Sequence, residues 1–386
     1  MYRHFHGCAH PAARTGNPQA SANFQRYATS AGTRSGGTLR TGVIVAASPG
    51  VENLAVQAEE LGLSSFWVYD TPMVHGDPFT ALALCAKATS RIKLGVGVTS
   101  PALRSIPATA SAFASLNALA PGRIICGVGT GNSARRTLGM PPTKAAELET
   151  FTASLQDLTA GHSISYREGE QVRDVQFLHA DPQQHATEPI EFVVAAQGLK
   201  AAAIAGRRGT GLMSFAIPNP ETWHAFRGAR QDAAQAASIP VDGASYLITS
   251  LHTLGQSEDP YGDAVRDATG HTVLSFLVFA ADKPSFAELL GPEEREAVQR
   301  FLDRRATTGT APDRYRRLYP NYLNRIDPAD RDLVLPSLVD KLALVGTRDS
   351  LRRRLALLEA AGVDELVIQP VVDPPRELAA LVKLTT

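Results

Sequence analysis

The chain has 386 residues, 44% of them hydrophobic, and its 38 Lys and Arg balance 38 Asp and Glu. That apolar content excludes global disorder, and the balanced charge gives no general attraction to nucleic acid or to an anionic membrane. No run of about 18 apolar residues is present to span a bilayer, and three cysteines (Cys8, Cys85, Cys126) cannot make a disulfide framework, so a soluble protein of the reducing cytoplasm is expected.

Residues 1 to about 40 are rich in Ser, Thr, Gly, Arg and Ala, and the first acidic residue is Glu52. Without an apolar period they are expected to form a disordered tail. Two sharper readings stay open. An acid-poor, Arg- and Ser-rich leader can be an organelle transit peptide, although Pro11 and Pro18 argue against the helix it needs. His4, His6, Cys8 and His10 alternate as metal ligands can, but no fold is evident to hold them. There is no apolar core of a secretory signal.

From Thr41 the pattern changes. Thr41–Ala47 (TGVIVAA) reads as a buried strand, with Ser48 capping a helix that has Pro49 at its first position and Gly62 at its end. Phe66–Tyr69 is the second strand, and Asp77-Pro78 opens the next helix. Lys93–Val98 is the third strand, followed by a helix over 107–119. Ile124–Gly129 is the fourth, followed by a helix over 145–159 and a polar stretch, 162–188, that reads as an inserted hairpin. Phe192–Ala196, Leu212–Phe215 and Tyr246–Thr253 are expected as strands five to seven. A long, mostly helical stretch runs from about 259 to 343. Thr347 caps a helix with Leu351, Leu355 and Leu358 on one face, and Glu365–Gln369 is the eighth strand before a last helix. Eight strand–helix units with right-handed crossovers predict a closed (β/α)8 barrel with an insertion after strand 4, forming one domain over residues 41–386. An open doubly wound sheet is the alternative.

In such a barrel the chemistry lies at the C-terminal ends of the strands. That rule selects Ala46 and Ala47, Asp70–Met73, Gly97–Ser100, Thr130–Ser133, Ala196–Leu199 and Ser214–Ala216. The run Gly127-Val128-Gly129-Thr130-Gly131-Asn132-Ser133 frees backbone N–H groups and adds side-chain donors, so it can cradle an anion, although such loops also serve turn geometry. It is not a Rossmann fingerprint. Ala196-Gln197-Gly198-Leu199-Lys200 opens a helix, where backbone amides favour a phosphate. Asp70 and His75 are the polar candidates near the second strand. Motifs of the HExxH, CxxC and GxSxG kinds are missing, and Cys126 is expected in the core. So sparse a polar set suits chemistry carried by a cofactor.

The stretches AEELGLSSFWVYDTPM (58–73), GDPFTALALCAKATSRIKLGVGVTSP (76–101), LNALAPGRIICGVGTGNSA (116–134), VVAAQGLKAAAIAGRRGTGLM (193–213) and LVGTRDSLRRRLALLEAAGVDELVIQP (344–370) together resemble the luciferase-like monooxygenase superfamily. The similarity is greatest to its deazaflavin-linked branch, which includes methylenetetrahydromethanopterin reductase. The resemblance implies a TIM barrel, a homodimer, and reduced FMN or the deazaflavin coenzyme F-420 as cofactor. It implies a non-prolyl cis peptide at Gly97-Val98 behind the cofactor ring, and contacts to the cofactor tail from Gly129, Thr130, Gly131, Asn132 and Ser133 and from Ala196, Gln197, Gly198, Leu199 and Lys200. Catalytic polar roles fall to Asp70, Thr71 and His75. Many relatives have Asp-His where this chain has Asp70-Thr71, so either Thr71 or His75 takes the place of that His or the step itself differs. Asn132 stands where relatives carry Asp. Gly198-Leu199 and Gly209-Thr210-Gly211 replace the usual Gly-Pro and Ala-Asp-Gly.

The expected activity is oxidation, reduction or oxygenation of a small organic substrate, with a separate flavin reductase as partner if the cofactor is FMN. Two other readings remain: a non-redox barrel enzyme acting on a sugar phosphate, which needs a base at a strand end, and a non-catalytic flavin-binding barrel. Specificity is expected from residues 135–190 and 255–340, where Tyr261, Tyr315, Tyr319 and Tyr322 either line a pocket or pack.

Overall fold

The computed structural model describes residues 39–179, 188–283, 290–306 and 312–385. The expected tail lies outside the described residues up to position 38, and so does the His4–His10 alternation. Eight parallel strands close a barrel in the order β1 (Arg40–Val45), β12 (Glu365–Ile368), β9 (Ser245–Thr249), β8 (Gly211–Phe215), β7 (Glu191–Ala195), β4 (Ile124–Val128), β3 (Lys93–Thr99), β2 (Ser65–Val68). Closure excludes the open doubly wound sheet. Helices α1 (Val51–Glu60), α2 (Pro78–Ala88), α3 (Ile106–Leu119), α5 (Ala145–Thr159), α6 (Leu199–Arg207), α7 (Pro220–Ala237), α12 (Arg348–Ala360) and α13 (Pro374–Thr385) complete the crossovers.

The insertion after the fourth barrel strand is the expected hairpin: β5 (Ile164–Glu168) pairs antiparallel with β6 (Gln171–Val175). It follows the short α4 (Asn132–Arg136) and α5. A second group of helices, α8 (Asp263–Asp282), α9 (Pro292–Arg304), α10 (Tyr315–Leu318) and α11 (Pro336–Leu342), lies between β9 and β12.

Three expectations are corrected. The seventh strand is not continuous over 246–253. It splits into β9 in the barrel and β10 (Leu251–Thr253), which leaves the barrel to pair with β11 (Leu344–Gly346). No element is expected from sequence at residues 344–346, because the pairing joins residues about ninety positions apart and no local pattern reports it. Ser48 does not cap α1. The cap is Gly50 at φ 79°, with no side-chain hydrogen bond, because Ser48-Pro49-Gly50 forms a turn in which the Val51 N–H donates to Ser48 O at 3.2 Å. The first strand begins at Arg40, inside the expected tail, and ends at Val45.

Other local signals hold. Asp77 accepts from the Thr80 N–H at 2.9 Å ahead of Pro78, and Thr347 caps α12. Leu351, Leu355 and Leu358 are buried. Each contributes about 2 kcal/mol by leaving water.

The barrel interior is filled by a large residue set against a missing one. Trp67 is fully buried and meets Tyr246 edge-on, ring centroids 5.2 Å apart. A Cβ at Gly95 would overlap the Trp67 indole, so glycine there makes room for the tryptophan. Below it, Glu365 is held by Ser65 and Arg40, while the Trp67 Nε1–H donates to Ser65 Oγ at 2.6 Å. Burial lifts the Glu365 carboxyl above its usual range against the pull of Ser65 and Arg40. This polar plug seals the N-terminal end and leaves the C-terminal mouth for ligands.

Candidate active site at the barrel mouth

Alternate residues along a strand face the same way. Ile44, Trp67, Ile125, Val193, Met213, Tyr246 and Val367 form the interior cluster. Two positions further on, the same faces carry Ala46, Tyr69, Gly127, Ala195, Phe215, Ile248 and Gln369. The neighbouring strands β3, β4 and β7 therefore bring small residues (Gly97, Gly127, Ala195) to the mouth, and β8, β9 and β12 bring large ones. The result is a recess with one flat, backbone-lined wall.

That wall carries the expected irregularity. The Gly97–Val98 peptide is cis, and the register of β3 against β4 shifts between Val96 and Thr99. A Cβ at Gly129 would stand 2.8 Å from Val98 Cγ2. Only a residue without a side chain fits beside the valine that the bulge presents.

At the end of β2, Asp70 is 2% exposed and paired with Arg104, whose Nη1 donates to Asp70 Oδ2 at 2.6 Å. Arg104 Nη2 reaches Asp77 Oδ2 at 2.8 Å, and its guanidinium lies over the Phe79 ring. Asp70 Oδ1 is buried without a hydrogen-bond partner among the described residues. Thr71 and His75 are brought together: Thr71 Oγ1 lies 2.6 Å from His75 Nδ1. The turn that joins them is closed by the His75 N–H donating to Thr71 O at 3.0 Å. The imidazole stacks on Tyr69 at 5.5 Å, and its Nε2 is buried without a partner. Burial lowers its pKa to about 4, so the ring is neutral at pH 7.

The two anion loops differ in readiness. Gly131 sits at φ 74°, and a Cβ there would crowd Ser100. Beyond it, Asn132 Oδ1 accepts from Arg136 Nε at 2.9 Å, Arg136 pairs with Asp282, and Ser133 Oγ lies 2.7 Å from Tyr322 OH. The Thr130 carbonyl accepts from Thr143. Two of these side chains are thus already engaged. The second loop is open. Ala196 is buried and its N–H donates to Met213 O, Gln197 reaches Phe215 O at 3.2 Å, and Leu199 and Lys200 are exposed. Gly198 caps α6 with no side-chain hydrogen bond; the Ala201 and Ala202 N–H groups donate to Gly198 O, which leaves those of Leu199 and Lys200 at the start of the helix.

Several buried polar atoms at this end of the barrel have no partner among the described residues: Thr99 Oγ1 at the end of β3, Ser100 Oγ just after it, Ser214 Oγ on β8, and both amide atoms of Gln369 after β12. Each such atom costs about 1–3 kcal/mol unless something bonds it. Cys126, by contrast, is fully buried and its thiol is pushed up by burial, as its place in the core requires.

The family model described as luciferase-like monooxygenase matches residues 26–365. This chain belongs to the luciferase-like monooxygenase family. A member from Kineococcus radiotolerans named F-420-dependent glucose-6-phosphate dehydrogenase is 37% identical over 179 residues, 42% of this chain and 52% of the relative. The chain thus spans about half the length of that relative. The F-420-dependent hydroxymycolic acid dehydrogenase of Mycobacterium tuberculosis is 30% identical over 274 residues, 67% of this chain and 71% of the relative. Among solved structures, the coenzyme F-420-dependent tetrahydromethanopterin reductase of Methanopyrus kandleri shares the fold with a TM-score of 0.67 and 19% identity, covering 90% of this chain and 98% of that one.

Within this luciferase-like barrel, sequence reasoning passed over Arg104, the inward face of Gln369 and Leu323. Arg104 is one arginine among many until β2 and the loop after β3 are adjacent. Gln369 was read only as the last strand residue, though its odd-numbered register with Glu365 and Val367 already turns it inward. Leu323, 8% exposed, packs into the interior cluster from outside the barrel, and no local signal reveals that. Of the four tyrosines considered for a pocket, Tyr322 reaches the mouth, whereas Tyr261 bonds Asp340 away from it.

Proposed function

We propose that this luciferase-like chain is a two-electron oxidoreductase using coenzyme F-420 on a small organic substrate. The observation that carries the reading is the hydrogen-bonded Thr71–His75 pair, stacked on Tyr69, at a mouth whose other wall is the Gly97–Val98 backbone. Relatives named as F-420-dependent dehydrogenases support it. The donor set fits a deazaflavin: a flat wall for the ring, orphaned hydroxyls and an amide for its polar edge, and open N–H groups at α6 for an anionic tail.

When bound, the deazaflavin accepts or returns a hydride at carbon and reacts poorly with oxygen. The chain does the rest. Gly97 and Val98 back the ring, while Gly129–Ser133 and Ala196–Lys200 hold its tail. His75 is neutral, so with Nδ1–H donated to Thr71 its Nε2 takes the proton of a substrate hydroxyl during oxidation and returns it to a carbonyl oxygen during reduction. Asp70, fixed by Arg104, orients the turn that carries Thr71. The barrel acts as one domain over residues 41–386.

An FMN-dependent monooxygenase is the second reading, favoured by the 25% identity over 249 residues to limonene 1,2-monooxygenase of Rhodococcus erythropolis. Paired fluorescence titration with coenzyme F-420 and FMN separates the two. Micromolar binding of the deazaflavin alone is expected. Binding of FMN alone, tighter once reduced, moves the protein to the oxygenases. Binding of neither by the folded protein sinks both.

A further inference from the structure

A cavity of about 450 Å3 lies between the loops that follow β1 and β12, at the mouth end of the barrel. Its size is that of a site for a small organic ligand. Tyr69 and Leu323 line it and also belong to the interior cluster at the candidate site. Ala46, which follows β1 and faces the mouth, lines it as well. Tyr69 is thus shared between the cavity and the Thr71–His75 pair that stacks on it, although neither member of that pair lines the cavity.

Its chemistry is one-sided. Leu54, Pro370 and Val371 give apolar walls, and Asn53 and Gln57 add neutral amides. No Asp, Glu, Lys, Arg or His is among its lining residues. An anion placed there would meet the N-terminal turn of α1 and two neutral amides but no full counter-charge, so a phosphate would lose its water for weak compensation. Phosphate and carboxylate sites are built from Arg, Lys or clustered N–H donors, and the first two are missing from this cavity.

We propose that this cavity is the substrate pocket and that it selects an uncharged, mainly apolar alcohol or carbonyl compound over a sugar phosphate or other anion. The inference rests on the oxidoreductase reading for the word substrate, and on the lining alone for the charge preference. Specificity for the neutral compound comes from the absence of a counter-charge as much as from apolar contact. Selection then lies on the β1 and β12 side of the mouth, opposite the α6 terminus assigned to the cofactor tail.

Calorimetric titration of the full chain with 2-naphthol and with 2-naphthyl phosphate tests this, first without cofactor and then with saturating coenzyme F-420. The neutral probe is expected to bind at least tenfold more tightly than the phosphate and to bind alongside the cofactor. Val371→Trp fills the cavity and is expected to weaken 2-naphthol at least tenfold, with the melting temperature and cofactor affinity unchanged. Asn53→Trp, at an exposed position, serves the same purpose if the first variant does not fold. Val371→Arg is expected to close or reverse the preference. Equal or tighter binding of the phosphate by the unmodified protein overturns the proposal. So does binding of neither probe, 2-naphthol affinity untouched by the filling variants, or displacement of the cofactor by 2-naphthol. Failure of the oxidoreductase reading looks different: no cofactor binds, while selectivity between the probes persists.

Discussion

The Tyr322 hydroxyl lies 2.7 Å from the Ser133 hydroxyl, tying the segment ahead of the C-terminal crossover to the loop after β4. Next to it, Leu323 fills the rim of the mouth with a backbone at φ 58°, in the left-handed region that favours glycine, and Asn321 has φ 56°. The segment sits over the recess and holds one of the residues proposed for the cofactor tail.

Ser133 cannot serve a ligand fully while bonded to Tyr322. Tyr322→Phe removes a competing hydrogen bond of about 1 kcal/mol. Cofactor affinity should then rise by roughly fivefold, and Ser133→Ala should lower it. Fluorescence titration reads both, and unchanged affinity in the Phe variant would remove Ser133 from the tail site.

Arg104 is the partner that makes a buried Asp70 tolerable. Removing it leaves a buried carboxylate without its counter-charge, so Arg104→Met should cost about 3 kcal/mol. Asp70→Asn should cost less, and the double variant should recover part of the single Arg104 loss, because no buried charge is then stranded. Urea unfolding of the three proteins forms the cycle. Equal losses in Arg104→Met and the double variant would mean that Asp70 is not what Arg104 supports.

The barrel was legible because its cues are local. Caps such as Asp77, apolar stripes such as Leu351, Leu355 and Leu358, and short apolar runs lie within ten residues of one another. The Pro49-Gly50 turn misled because proline at a first helical position and proline in a turn share one dipeptide, and only the left-handed Gly50 distinguishes them. The site was legible as loop positions and not as contacts. Thr71 and His75 were each weighed singly. Their bond depends on a turn that anchors to the first strand through the Gly76 N–H and Ala47 O at 3.4 Å. The β10–β11 pair, Arg104 and Leu323 needed the closed barrel before they meant anything.

Two buried histidines should contribute to acid sensitivity. Burial lowers the pKa of His75 to about 4 and of His271 to about 3, against 6.5 when free. Above about pH 6.5 both are neutral folded and unfolded, and neither affects stability. As the pH falls toward 4, the unfolded chain takes up protons that the folded one refuses, so stability is lost across that window. His75→Gln should flatten the fall in urea midpoint between pH 7.5 and pH 5, and the further His271→Gln change should flatten it more. An undiminished slope in the double variant would assign acid sensitivity to other groups.

Gln369 separates folding from function most directly. It is 2% exposed, faces inward at the mouth, and neither amide atom has a partner. A buried amide in that state destabilises the fold by about 1–3 kcal/mol, and leucine of similar size removes the penalty. Gln369→Leu should therefore raise stability by about 1 kcal/mol. If the amide bonds the cofactor edge or the substrate, the same change should weaken cofactor binding or turnover at least tenfold, the exchange expected where a polar group is kept for a ligand. A variant that is more stable and fully active would make Gln369 a packing defect and move the polar contacts to Thr99 and Ser100. A variant that is less stable would mean that the amide is bonded within the protein itself.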